Sequence, residues 1–260
     1  MKRFLITANK KLKGFYVLIA VLVLWQTAPR AGWVNPIYVP SITTIITQSE
    51  LTPAMALKHI IVSLRRMVVG FSICTVIALP LAFILGGAIP ALANVLRLLL
   101  QFLSQIPPYI LYPVLALFAG IGEKSVVMIV FWAGLWPLLF TTIQGVQDIN
   151  PRLISAARAM NANSALIFFK VIVPATFPNI MRGIRLGLNN SFLILIGAEN
   201  IGGKEGLGWL IGNANKLGKI NRVYFGAFLV VILGIALNFG IQKLENRVTG
   251  WKRLPSEAAV

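Results

Sequence analysis

From Met67 to Leu96 the chain carries no charged residue, and from Leu98 to Gly122 it again carries none. About 20 consecutive apolar residues suffice to cross a bilayer as a helix. In lipid every backbone N–H and C=O must be bonded within the protein, so a single apolar run of this kind spans as a helix. Only 12% of the 260 residues are charged and 57% are hydrophobic, whereas a soluble domain carries about 25% charged residues. The expectation is an all-α membrane protein of about six transmembrane helices.

The spans follow in order. Residues 1–13 are basic, with Lys2, Arg3, Lys10, Lys11 and Lys13, and residues 14–29 are uncharged. A basic start before a short apolar core resembles a signal peptide, but Ala28-Pro29-Arg30 is a poor cleavage site, so this reads as a retained first span. A loop follows over 32–58, in which the run after Pro40 reads as a helix lying at the membrane surface. The second span runs from Met67 to near Leu85, ended by Gly86, Gly87 and Pro90. The third, 98–122, holds Pro107-Pro108, which removes backbone donors and breaks the helix. The fourth covers 125–147, the fifth 175–201 and the sixth 223–242, with a glycine-rich loop over 202–222. This divides the chain into a basic N-terminus (1–13), a transmembrane domain (14–246) and a tail (247–260).

The net charge is +17. In a soluble chain that would point to nucleic acid, but no basic face interleaved with exposed aromatics belongs to a soluble domain here. Basic loops facing anionic lipid explain the charge. With six spans, both termini and the loop after the fourth span share one side, which carries fifteen cations against nine on the other. The excess places that side in the cytoplasm. Cys74 and His59 are single, so an intramolecular disulfide, a thiolate metal site and an HExxH motif are all excluded.

The loop after the fourth span is unusual. Residues 147–187 bring five cations, Arg152, Arg158, Lys170, Arg182 and Arg185, against one acid, Asp148. Pro151 predicts a helix start, and the helix reads on to about Leu166. Pro174 and Pro178 mark the next one. Keeping a basic helix inside a membrane protein implies something outside the bilayer that reads it.

Here the chain resembles the coupling loop of ABC importer permeases. Their pattern is Glu-Ala-Ala, three residues, Gly, nine residues, then Ile-x-Leu-Pro. This chain has Ser155-Ala156-Ala157, Asn161, and Val171-Ile172-Val173-Pro174 at the same spacing. Five further stretches resemble the branch that imports nitrate, aliphatic sulfonates, taurine and bicarbonate: 63–71, 107–125, 145–162, 172–188 and 197–211. The resemblance covers residues 38–246. It implies a type I ABC importer permease fold whose coupling loop (145–175) docks on an ATP-binding subunit, with Arg152 and Arg158 pairing with its acids. It also implies a homodimer and an extracytoplasmic solute-binding protein, with ATP and Mg held by the partner ATPase and no cofactor or metal in this chain. Where the pattern has Glu and Gly, this chain has Ser155 and Asn161. Asn161 can adopt the left-handed conformation that glycine supplies.

Candidate pathway residues are Gln101, Gln105, Asn189, Asn190, Ser191 and Glu199, since intramembrane polar groups usually face a bundle interior or a cavity. Interhelical hydrogen bonding is the competing role, and for Glu199 a pair with Arg65 or Arg66 across the outer mouth. Arg65 and Arg66 there would favour anions by steering. Gly183 and Gly187 form a GxxxG packing pair. GIGEKS (120–125) and GGKEG (202–206) do not fit GxxxxGK[ST], so the chain does not bind ATP by that motif. An ion-coupled transporter would need an ionisable relay within the spans, and an intramembrane enzyme a catalytic set. Neither is present. A vitamin precursor is the alternative substrate class.

Overall fold

The computed structural model describes residues 16–88 and 90–248, and among them it contains helices and no strand. Residues 1–13 and most of the tail at 247–260 lie outside the described residues. Helix α1 covers Tyr16–Thr27 and α2 Ile42–Gln48, whose N-cap Ser41 side chain accepts from the Thr44 N–H. Helix α3 runs Pro53–Phe83 and passes into one π turn, Ile84–Ala88. Then come α4 (Pro90–Ser104), α5 (Pro108–Ala119), α6 (Glu123–Gln147), α7 (Pro151–Ala159) and α8 (Ser164–Ile167). A second π turn, Phe168–Ile172, leads into α9 (Val173–Gly202), followed by α10 (Leu207–Lys216) and α11 (Ile220–Val248).

Four continuous helical stretches are long and apolar enough to cross a membrane: Pro53–Gly87, Glu123–Gln147, Ser164–Gly202 and Ile220–Val248. The pair α4/α5 makes a fifth when taken as one bent span, and α1 is a shorter apolar helix beside them. The expected break at Pro107-Pro108 is a bend of 91°. Pro108 occupies the first turn of α5, where its missing N–H costs nothing.

Three boundaries differ from the sequence expectation. The second span starts in Thr52-Pro53, with the Thr52 hydroxyl accepting from the Met55 N–H. Lys58, Arg65 and Arg66 therefore sit inside the helix rather than ahead of it. A cap and a first-turn proline start a helix regardless of the charges that follow. The predicted single helix from Pro151 to about Leu166 is two, because Asn161 takes φ +60. The Ala162 N–H then bonds the Ala157 carbonyl and the Asn161 N–H the Arg158 carbonyl, closing α7 with a Schellman motif. The glycine-rich 202–222 loop contains a ten-residue helix, α10, packed on α9 and α11.

Helix α6 is the centre, with α9 against one side and α3 against another. Small residues set these distances, as expected where lipid gives no hydrophobic drive between helices. A Cβ on Gly187 would stand 3.0 Å from the Gly134 carbonyl oxygen, and one on Gly183 would collide with Thr141. One core layer holds Met67, Val126, Ile129, Val130 and Leu195; the other holds Phe71, Cys74, Leu135, Leu138 and Leu139. Helix α1 docks on α11 through Trp25, which stacks on Phe228 at 5.4 Å and donates to the Pro40 carbonyl.

Candidate functional site

Helices α3, α6 and α9 run side by side, so the molecule has two polar ends. One is capped by α7 and α8, the other by α10.

At the α7 end, Asn150 caps the helix by accepting from the Arg152 N–H at 3.0 Å, and Pro151 follows. Asn163 caps α8 in the same manner at 2.8 Å. These caps hold α7 with Arg152, Ser155, Ala156 and Arg158 exposed. Ala157 turns inward and is buried, so of the two alanines only Ala156 is open to close approach from outside. Ser155 is the fifth residue of α7, past the first turn, where a charge would feel little of the helix dipole. Leu153, Met160, Leu166 and Phe169 are exposed on the same segment, 50–78% accessible. Arg152, Arg158 and Lys170 enter no ion pair among the described residues. The result is an apolar surface ringed by free cations. Sequence reading found the cations and missed the apolar residues, whose exposure depends on where Asn161 turns the chain. Pro174 stands in the first turn of α9.

At the α10 end five cations are paired within the chain, while Lys124, Lys204 and Lys216 enter no ion pair among the described residues. Arg66, 4% exposed, donates from Nη1 to Glu199 at 2.8 Å and to the Glu205 carbonyl at 2.6 Å. Its Nε donates to Glu123 at 2.9 Å. Glu199 is fully buried, and also accepts from the Ser63 hydroxyl at 2.8 Å and the Gly208 N–H at 3.0 Å. Arg65 pairs with Glu123 at 2.7 Å, Lys58 with Glu205 at 2.5 Å, and Lys219 with Glu50 at 2.5 Å. His59 Nδ1 accepts from the Gly206 N–H and its ring stacks on Trp209. Gly206 has φ +113, and a Cβ there would run into the Glu199 carboxylate. The bonds to Lys58 and Lys219 hold the Glu205 and Glu50 carboxyls below the usual carboxylate range. Arg65 and Arg66, expected as an anion-steering outer mouth, are thus already matched by Glu123 and Glu199.

The six expected pathway residues separate. Ser191 is buried and donates to the Val130 carbonyl at 2.9 Å, and Glu199 belongs to the cluster above. Gln105 and Asn189 are exposed. Asn190 lines a cavity of about 290 Å³ at the helix break, with Ser104, Pro108, Trp136 and Phe140. Gln101 lines a larger one of about 580 Å³, with Arg97, Phe140, Gln144, Gln147 and Asp148. Among the described residues no group of three or more His, Cys, Asp or Glu side chains could hold a metal.

Comparison with known proteins agrees with this architecture. The model of the family described as binding-protein-dependent transport system inner membrane component matches residues 78–250. The taurine transport system permease protein of Escherichia coli is 25% identical over 241 residues, 90% of this chain and 87% of its own. An aliphatic sulfonates transport permease protein of Bacillus subtilis is 27% identical over 243 residues, 93% and 88% of the two chains. Among solved structures, the MetNI methionine ABC transporter in an inward-facing conformation superposes with a TM-score of 0.64 at 22% identity, covering 76% of this chain and all of the other.

Proposed function

We propose, for a chain that belongs to the family of binding-protein-dependent transport system inner membrane components, that it passes a small anionic solute of the sulfonate, taurine, nitrate or bicarbonate type through the inner membrane. The observation that carries the substrate class is the match to taurine and sulfonate permeases along nine-tenths of the chain. The exposed α7–α8 surface docks on an ABC ATP-binding subunit, which holds ATP and Mg and hydrolyses the nucleotide. A small apolar helix face with free arginines suits a partner groove rimmed by acids. Two copies of the chain enclose the path, each with its own ATPase, and a solute-binding protein delivers to the α10 end. The α7 end and both termini face the cytoplasm, in keeping with the excess of cations there.

The test is uptake into proteoliposomes holding the chain, its ATPase and its binding protein, with labelled taurine, ethanesulfonate, nitrate and bicarbonate offered in turn. ATP-dependent uptake of one of them is expected. Uptake of a vitamin precursor and of none of the four would replace the substrate class. Failure of the ATPase to copurify in native membranes would remove the docking role.

A further inference from the structure

Over residues 95–104, helix α4 carries one polar line, Arg97, Gln101 and Ser104, spaced i, i+4, i+7 and so on one face. Helix α6 faces it across a groove. The two cavities of about 290 and 580 Å³ lie along this groove and share Phe140 as a common wall. The smaller one includes Trp136, whose indole N–H is buried without a partner among the described residues. The larger one runs toward the α7 end, and its polar lining is Arg97, Gln101, Gln144 and Gln147, with Asp148 where α6 ends.

Arg97 is the distinctive residue of this groove. It enters no ion pair or hydrogen bond among the described residues, whereas Arg66 in the neighbouring helix has two carboxylates. A cation within a membrane helix is expensive to keep and is ordinarily paired or turned to a water-filled cavity. Arg97 has the cavity, and among the described residues it has no ion pair, although Asp148 lines the far end of the same cavity. Three amide side chains around it supply N–H donors and no net charge, which suits the oxygens of an oxyanion.

We propose that this groove is an anion-binding station on the α7 side of the transport path, with the Arg97 guanidinium as its charge, the Gln101 and Gln144 amides as donors, and Phe140 dividing it from the break cavity. The ligand class is a small singly charged oxyanion, a sulfonate or nitrate. The assignment rests on the importer reading above and extends it to a site in this chain. Asp148 lines the same cavity at the end of the groove, where its charge offsets part of that of Arg97 and keeps the hold on an anion weak.

The test works whichever solute is transported. In a Cys74→Ala background, Gln101→Cys is reacted in the assembled transporter with the anionic 2-sulfonatoethyl methanethiosulfonate and the cationic trimethylammonioethyl methanethiosulfonate. The rate ratio is compared with that in Gln101→Cys/Arg97→Gln. A ratio favouring the anion by about tenfold, falling toward one when Arg97 is removed, is expected for a full charge at close range. Sodium ethanesulfonate or sodium nitrate should slow the anionic reagent only while Arg97 is present. An unchanged ratio overturns the assignment, and so does a Gln101→Cys thiol that neither reagent reaches, since the groove would then be a covered packing surface. A collapsing ratio with no uptake of any of the four anions by the wild-type transporter supports the station and removes the substrate class instead.

Discussion

The two ends of the molecule differ in how many of their cations are paired within the chain. At the α10 end, Lys58, Arg65, Arg66, Lys219 and Arg222 are all matched by Glu50, Glu123, Glu199 and Glu205. At the α7 end, among the described residues, Arg97, Arg152, Arg158 and Lys170 enter no ion pair, whereas Arg185 pairs with Glu245. The matched end ties α3, α6, α9 and α10 to one another, which is self-assembly of a single chain. The unmatched end leaves its cations for a nucleotide-binding partner, for anionic lipid headgroups, or for a solute.

The comparison breaks hardest at Glu199. Glu199→Ala leaves Arg66 with Glu123 as its one carboxylate, beside the Glu205 carbonyl, and removes the acceptor for Ser63 and the Gly208 N–H. Loss of one partner of a buried pair costs about 3–5 kcal/mol, to be read as a fall in thermal stability of the detergent-purified protein. An α10 end that held without Glu199 would show a shift no larger than an exposed charge mutation gives, about 0.5 kcal/mol.

Charge reversal at the other end should do the reverse. Arg152→Glu with Arg158→Glu should leave thermal stability within about 0.5 kcal/mol, since both side chains are exposed and unpaired. It should weaken capture of the ATPase roughly 10- to 100-fold, about 1.4–2.8 kcal/mol. Lys219→Glu, at the matched end, should leave that capture unchanged. Equal losses from both variants would mean that the docking surface is not confined to α7 and α8.

Much of this arrangement is legible in the sequence alone. Pro107-Pro108 announces the bend, and Asn161 in a position that wants glycine announces the left-handed turn. The apolar runs locate the spans. What stays hidden depends on residues far apart in the chain. Arg66 and Glu199 are 133 positions apart, and nothing in either neighbourhood says that Ser63, His59 and the 206–208 backbone converge on them. Helix α10 is hidden for a related reason. Gly206, Gly208 and Gly212 read as loop residues, yet they are glycines because the Glu199 carboxylate, the Ile196 carbonyl and the Asn200 side chain occupy the space of a Cβ. Arg97 counts in the sequence only as a loop cation, although its spacing to Gln101 and Ser104 is visible there.

Acid should loosen only the matched end. The Glu205 and Glu50 carboxyls titrate below their unfolded values. Their ion pairs with Lys58 and Lys219 therefore contribute fully above the unfolded carboxylate pKa, and the contribution is lost as pH falls through the lowered folded values. Both pairs are exposed, so the effect is small. Hydrogen exchange at residues 203–206 should rise as pH drops below about 4, after correction for the intrinsic rate. Glu205→Gln should show that faster exchange already at pH 7. Exchange at 160–163, where no carboxylate takes part, should follow the intrinsic rate alone.

The smallest effect is the most informative about α7. Ser155 lies three residues from Arg152 on one side and three from Arg158 on the other, so an acid there faces both across one turn. Ser155→Glu would restore the family pattern and give the α7 end the internal matching of its opposite end. Each new intrahelical pair should stabilise α7 by about 0.2–0.5 kcal/mol, visible as slower amide exchange across 152–159. The same pairs would compete for the arginines with acids on the ATPase. If free arginines are what the ATPase reads, Ser155→Glu lowers ATPase stimulation while it stabilises the helix. If stimulation is unchanged, the exposed Leu153, Ala156 and Met160 surface carries the docking and the two arginines only orient it.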